Sequence, residues 1–90
     1  MSGLLALEIE RLLNAAFAPV QLAVINDSAR HSGHSGDDGS GESHFTIEIE
    51  SAAFAGLSRL ERQRRINHAL GDIPGLRVHA LAIKARAPGE

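Results

Sequence analysis

Residues 44–71 read HFTIEIESAAFAGLSRLERQRRINHALG, and the hydrophobic period changes partway along this stretch. Phe45, Ile47 and Ile49 alternate with Thr46, Glu48 and Glu50, the two-residue repeat of a strand buried on one side only. From Ser51 to Gly56 the pattern suits a single helical turn, with Phe54 as its buried residue and Gly56 as its stop. Ser58 with Glu61 three positions on forms a capping-box pattern, so a helix starts at Arg59 and runs to about Leu70, where Gly71 ends it. Ile66, Ala69 and Leu70 mark its inner side, while Glu61, Arg64, Arg65 and His68 fall on the outer arc. A half-buried strand feeding helices calls for an α+β domain whose helices cover one face of a sheet.

Upstream, Leu5, Ile9, Leu12, Leu13 and Ala16 recur at helical spacing, which predicts a helix from about Leu4 to Phe17 closed by Pro19. Val20 to Ile25 is a short apolar run with β-branched residues and reads as a first, mostly buried strand. Between it and the second strand lies NDSARHSGHSGDDGSGES, residues 26–43, in which Ala29 is the only apolar side chain. Nothing there can offset ordering by burial, so the reading is a long mobile loop, with the second strand returning antiparallel to the first. Downstream, Pro74 and Gly75 make a turn and Leu76 to Ala85 reads as a third strand. A helical crossover joins strands two and three, so they run parallel if adjacent, giving a mixed three-stranded sheet. The 90 residues are read as one domain over 1–90.

Composition narrows the function. A chain this short leaves little depth for a dry catalytic pocket. It holds three Phe and no Trp or Tyr, so aromatic platforms for stacking bases are scarce. With no Cys, it supplies no disulfide, thiolate ligand or Cys nucleophile. The formal charge of −2 gives no global field for nucleic acid. The opening MSGLLALEIERLLNAAF has neither a basic leader nor a membrane-length apolar run, so a cytoplasmic protein without membrane association is expected. No nucleophile, base and orienter set can be assembled, and no phosphate-binding glycine motif is present, so the expectation is a binding protein and not an enzyme. Gly33 and Gly36 form a G-x-x-G, but in the acidic loop and not between helices, where RNA-binding KH domains need it.

Neutral imidazole is the one borderline-soft ligand in this chain, which directs attention to its five histidines. His31 and His34 sit in the polar loop as H-S-G-H beside Asp37 and Asp38, and are either solvated loop residues or ligands. His44 begins the second strand on the face opposite Phe45, where bracing the loop is its natural role. His68 lies on the exposed arc of the long helix. His79 interrupts an aliphatic strand, V78-H79-A80-L81, as either a satisfied half-buried residue or a ligand.

Several of these segments recur in one family. Asn26-Asp27-Ser28, Arg30-His31, Glu42-Ser43-His44-Phe45, Ser51-x-x-Phe54-x-Gly56, Arg62-x-Arg64 and Val78-His79-Ala80-Leu81 resemble the BolA family, along nearly the whole chain. The resemblance implies a KH-like (type II) α-β-β-α-α-β fold. It also implies a non-enzymatic adaptor that pairs with a monothiol glutaredoxin in a heterodimer and shares a bridging 2Fe-2S cluster, for iron sensing or for maturation and delivery of iron-sulfur proteins. By the same resemblance His79 is one cluster ligand, His31 the second, and His34 a neighbour able to substitute. Thiolates would come from the glutaredoxin and its bound glutathione, since histidines on one iron and thiolates on the other are a known ligation. The isolated chain is expected to be a monomer. Gln63 departs from the family, many of whose members have His there, which leaves the ligand assignment untouched but bears on the surface of the helix.

Two other readings stand beside this one. Some members of the family are described as transcriptional regulators, and the short turn before the long helix resembles a helix-turn-helix, with Arg59, Arg62, Arg64 and Arg65 available for DNA phosphates. A mononuclear divalent-metal site using His31 and His34 would need no partner chain.

Overall fold

The computed structural model describes residues 4–27, 44–78 and 80–90. Helix α1 spans Leu4–Phe17 and buries Leu5, Ala6, Ile9 and Leu13, one stripe at helical spacing. Its chain turns out through Ala18, a non-glycine residue with a φ of 44°, whose N–H donates to the Asn14 carbonyl at 3.1 Å. That bond closes the last turn as a left-handed cap, a place where glycine is usual.

Strands β1 (Gln21–Asn26), β2 (His44–Glu50) and β3 (Ala80–Arg86) form a single sheet in the order β1-β2-β3. The β1–β2 pair is antiparallel, with Val24 opposite Ile47, and the β2–β3 pair is parallel, with Ile47 opposite Ile83. The mixed α+β sheet expected from the sequence is therefore the observed one. Phe45, Ile47 and Ile49 are buried between half-buried neighbours, Leu22 and Val24 on β1 and Leu81, Ile83 and Ala85 on β3. This inner face packs against α1 and against Ile66 and Leu70 of α2 (Arg59–Leu70). On the other face Gln21, Ala23, Ile25, Glu48, Ala80, Ala82, Lys84 and Arg86 are all exposed, so the helices cover one side of the sheet and leave the second open.

Between β2 and α2, Ala52–Phe54 make one turn of 3-10 helix capped by Ser51. Ser51, 1% exposed, donates from Oγ to the Phe17 carbonyl at 2.7 Å, accepts from the Ala53 N–H at 3.1 Å, and gives its own N–H to the Arg86 carbonyl at 3.0 Å. One small residue thus joins the end of α1 and the short turn by its hydroxyl and the end of β3 by its N–H. Phe54, fully buried, meets Phe17 with ring centroids 5.0 Å apart. Ser58 caps α2 by accepting from the Glu61 N–H at 3.1 Å, as the capping-box pattern requires.

The third strand begins later than the sequence suggests. Pro74 and Gly75, the latter at a φ of 90°, open a turn that continues to Val78, whose N–H donates to the Ile73 carbonyl at 2.9 Å. The Gly75 N–H in turn donates to the Val78 carbonyl at 3.0 Å. These bonds hold residues 73–78 as a closed turn, so the ladder with β2 starts at Ala80 and not at Leu76. Arg77 leaves that turn to grip Glu8 on α1 with two bonds of 2.9 and 2.8 Å. The arginine's hydrogen bonds hold the Glu8 carboxyl below its ordinary pKa. The expectation of a long mobile loop falls, from residue 28 on, outside the described residues.

Candidate functional site

Strand polarity decides what meets what. β1 leaves the sheet at the same end where β2 and β3 enter it, because β1 is antiparallel to the other two. At that end His44 lies between two neighbours. Its carbonyl accepts from the Asp27 N–H at 2.8 Å, and it pairs in register with Ala80. The Asp27 carboxylate also accepts a hydrogen bond from the Thr46 hydroxyl, tying the exit of β1 to β2 by side chain as well as backbone. His44 is 7% exposed although it stands on the face opposite Phe45.

His31, His34 and His79, the ligand candidates, lie outside the described residues. Their described neighbours are nonetheless brought together: Asp27, four positions before His31, and Ala80, directly after His79, flank the same residue, His44. Beside them the open face of the sheet carries Ile25, Thr46, Ala80 and Ala82, short or apolar side chains without a full charge. Among the described residues no group of three or more His, Cys, Asp or Glu is arranged to hold a metal ion. The described part of the chain thus offers no complete metal cage. The chain supplies imidazole and no thiolate, so any thiolate on a metal group held here would have to come from another molecule.

The arginines of α2 do not form one face. Arg62 is turned inward, with its side chain 12% exposed. Its Nε donates to the Leu57 carbonyl at 3.0 Å, and Nη1 and Nη2 each reach a Glu90 carboxylate oxygen at 2.6 Å. Hydrogen bonding to Arg62, with a further bond from the Ala87 N–H, lowers the Glu90 carboxyl to about 2. Arg62 therefore fastens the C-terminal segment to the fold. Arg64 and Arg65 project beside Ala16 and Phe17 of α1, along with His68, whereas Arg59 lies on the opposite flank beside β3. Arg65 is paired with Glu61, 3.5 Å away on the preceding turn.

Comparison with known proteins places this architecture. A family model described as BolA-like protein matches residues 13–90, and the chain belongs to that family. Over 83 residues it is 51% identical to the "uncharacterized protein in cobS 5'region" of Sinorhizobium, covering 91% of this chain and 89% of that one. It is 42% identical to human BolA-like protein 1, over 91% of this chain but 57% of the human one. It is 41% identical to the DNA-binding transcriptional regulator BolA of Vibrio cholerae, over 83% of this chain and 67% of that one. In three dimensions it is similar to the BolA domain of SufE1 from Arabidopsis thaliana, with a TM-score of 0.85 and 36% identity over 98% of this chain and 96% of that chain. No helix among the described residues is long and apolar enough to cross a membrane.

Two roles are not legible in the sequence. Ser51 stands there only as part of the S-x-x-F-x-G motif, and Arg62, part of R-x-R and named with Arg59, Arg64 and Arg65 for DNA phosphates, is instead engaged with Glu90. Neither motif says what the side chain bonds, because both sets of partners lie far along the chain.

Proposed function

We propose that this BolA-family chain is a non-enzymatic adaptor that binds a monothiol glutaredoxin and co-ligates a bridging 2Fe-2S cluster through His79 and His31. The observation that carries the reading is the meeting of Asp27, His44 and Ala80 at one end of the sheet. A chain advances at most about 3.6 Å per residue, so His31 stays within roughly 14 Å of Asp27, and His79 is bonded directly to Ala80. Two ligand carriers far apart in sequence would thereby be tethered near one place, and the open face beside them, with short or apolar side chains around the Asp27–Thr46 pair, leaves a partner room to approach. The cluster would supply electron-transfer and transfer chemistry, with thiolates from the partner and glutathione completing the ligation. His34, three residues beyond His31, is a substitute ligand.

The test is to mix the purified chain with cluster-loaded monothiol glutaredoxin and follow visible absorption and circular dichroism with size exclusion. A heterodimer with a spectrum distinct from that of glutaredoxin alone is expected. His79→Ala should abolish or alter that spectrum while leaving the thermal midpoint nearly unchanged, and His31→Ala should only make the cluster more labile. A His79→Ala variant that unfolds, combined with a His31→Ala variant that forms the normal spectrum, would make His79 structural and end the assignment.

A second reading draws on the Vibrio cholerae relative, whose name describes DNA binding. In this chain it would rest on Arg64 and Arg65 on one side of α2, since Arg62 is engaged with Glu90 and Arg59 lies on the other side. Replacing both Arg64 and Arg65 with Ala should then weaken duplex binding and lower its salt dependence by about two phosphate contacts. Duplex affinity indifferent to that change removes this reading.

A further inference from the structure

The free edge of β3 combines features that no part of the proposed cluster site uses. The Arg86 carbonyl faces β2, where it accepts from the Ser51 N–H, while the Ala85 carbonyl faces the other way, toward α2. Alternation along a strand turns the backbone groups of Leu81 and Ile83 in the same outward direction as those of Ala85. On that side Arg62 Nη1 bonds the Ala85 carbonyl at 3.3 Å, and no described residue bonds the outward groups of Leu81 or Ile83. Unpaired N–H and C=O groups in a row are a template for another strand.

The edge also borders a groove. Between β3 and the first turns of α2, a cleft of about 440 Å³ is lined by Leu57 and Ile83, with Arg59, Arg62 and Lys84 among the residues at its margin. Leu57 and Ile83 are half-buried and give it an apolar floor. The positive charge of Arg62 is matched by Glu90. Arg59 has no ion-pair partner among the described residues, and Lys84 is 71% exposed with Glu48 at a long 3.9 Å. Exposed pairs at that distance are weak, so the margin carries uncompensated positive charge on both sides of the strand edge.

We propose that the β3 edge is a strand-addition site for an extended, acidic segment of a partner protein. A polypeptide backbone returns both donors and acceptors to Leu81 and Ile83, which a nucleic-acid phosphate, offering acceptors only, does not. Side chains of the added strand alternate, so apolar ones settle over Leu57 and Ile83 while acidic ones on the other face meet Lys84, and the charge of Arg59 at the cleft adds attraction at longer range. A second copy of this chain is a poorer occupant: neither of its free edges, β1 (Gln21–Asn26) or β3 (Ala80–Arg86), brings an acidic residue. The site involves no histidine and does not depend on cluster binding.

The experiment uses the full apo chain, labelled with ¹⁵N, and two seven-residue capped peptides as probes. In one, glutamate alternates with valine; in the other, lysine does. The acidic peptide should shift the amides of Leu81, Ile83 and Ala85, slow hydrogen exchange at Leu81 and Ile83, and lose affinity as salt rises. The lysine peptide should bind about tenfold more weakly or not at all, and the double variant Arg59→Glu with Lys84→Glu should weaken the acidic peptide by a similar factor. Both substitutions are on exposed side chains, so an unchanged thermal midpoint will show that the fold is kept. The proposal fails if neither peptide gives saturable shifts, if both bind equally, or if the shifts centre on Arg64, Arg65 and His68. It fails too if the β3 shifts arise from concentration-dependent dimerisation without peptide.

Discussion

The two ends of the sheet are built from different chemistry. At one end Arg86 bonds Glu50 at 2.7 Å and Gln21 at 3.1 Å, a side-chain row across all three strands. Directly beyond it Ser51 joins α1, the 3-10 turn and β3, and Arg62 holds Glu90. At the other end the open face carries Ile25, Thr46, Ala80 and Ala82, and the strands lead into the segments that bear His31 and His79. The first end holds long-range chain segments together by hydrogen bonds, while the second presents a low surface of short or apolar side chains around the Asp27–Thr46 pair, beside candidate ligands. Stability and proposed function are therefore separable in this molecule, and substitutions should sort by end.

The largest loss is expected from Phe54→Ala at the cross-linked end, because the ring is fully buried against Phe17. Truncation of a buried Phe costs about 3–5 kcal/mol, which chemical denaturation would read directly. Next comes Ser51→Ala, which leaves the Ala53 N–H and Phe17 carbonyl without their partner and should cost about 1–3 kcal/mol. Any Ser51→Ala protein that remains folded should still form the mixed-ligand spectrum with glutaredoxin. Should Ser51→Ala abolish that spectrum in folded protein, the two ends are coupled and the division is wrong.

A smaller effect concerns pH. The Glu90 carboxyl, held at about 2 in the folded chain against an ordinary 4.5, stabilises the fold fully above pH 4.5. That contribution is lost as the pH falls from 4.5 toward 2, because the folded state must then take up a proton at the cost of the Arg62 pair. Urea midpoints of the parent and of Glu90→Gln should therefore differ most near pH 6 and converge toward pH 2. Equal midpoints at pH 6 would show that the exposed part of this pair is screened to nothing. The smallest effect is a gain: Ala18→Gly relieves a left-handed backbone at the end of α1 and should raise stability by about 0.5–1 kcal/mol, seen as a higher thermal midpoint.

Local patterns determined most of the fold. The stripe over Leu4–Phe17, the alternation of Phe45, Ile47 and Ile49, and the Ser58-x-x-Glu61 cap each report on residues within one or two turns of themselves, and α1, β2 and α2 lie where those patterns put them. The family motifs named the candidate ligands, His31 and His79, without locating either. What only the tertiary structure decided are the relations between residues remote in the chain. The start of β3 moved to Ala80 because the Ile73–Val78 bond extends the turn past the point where apolar residues resume. Arg62 reads as one more basic residue on a helix, and Glu90, 28 positions away, makes it a fastener. The convergence of Asp27, His44 and Ala80 follows from β3 joining β2 in parallel, a choice fixed by a crossover that must carry α2 back over one face. Periodicity records how a segment sits against its own backbone and a flat interior. It carries no record of which distant segment lies across from it, and that is what defines the proposed site.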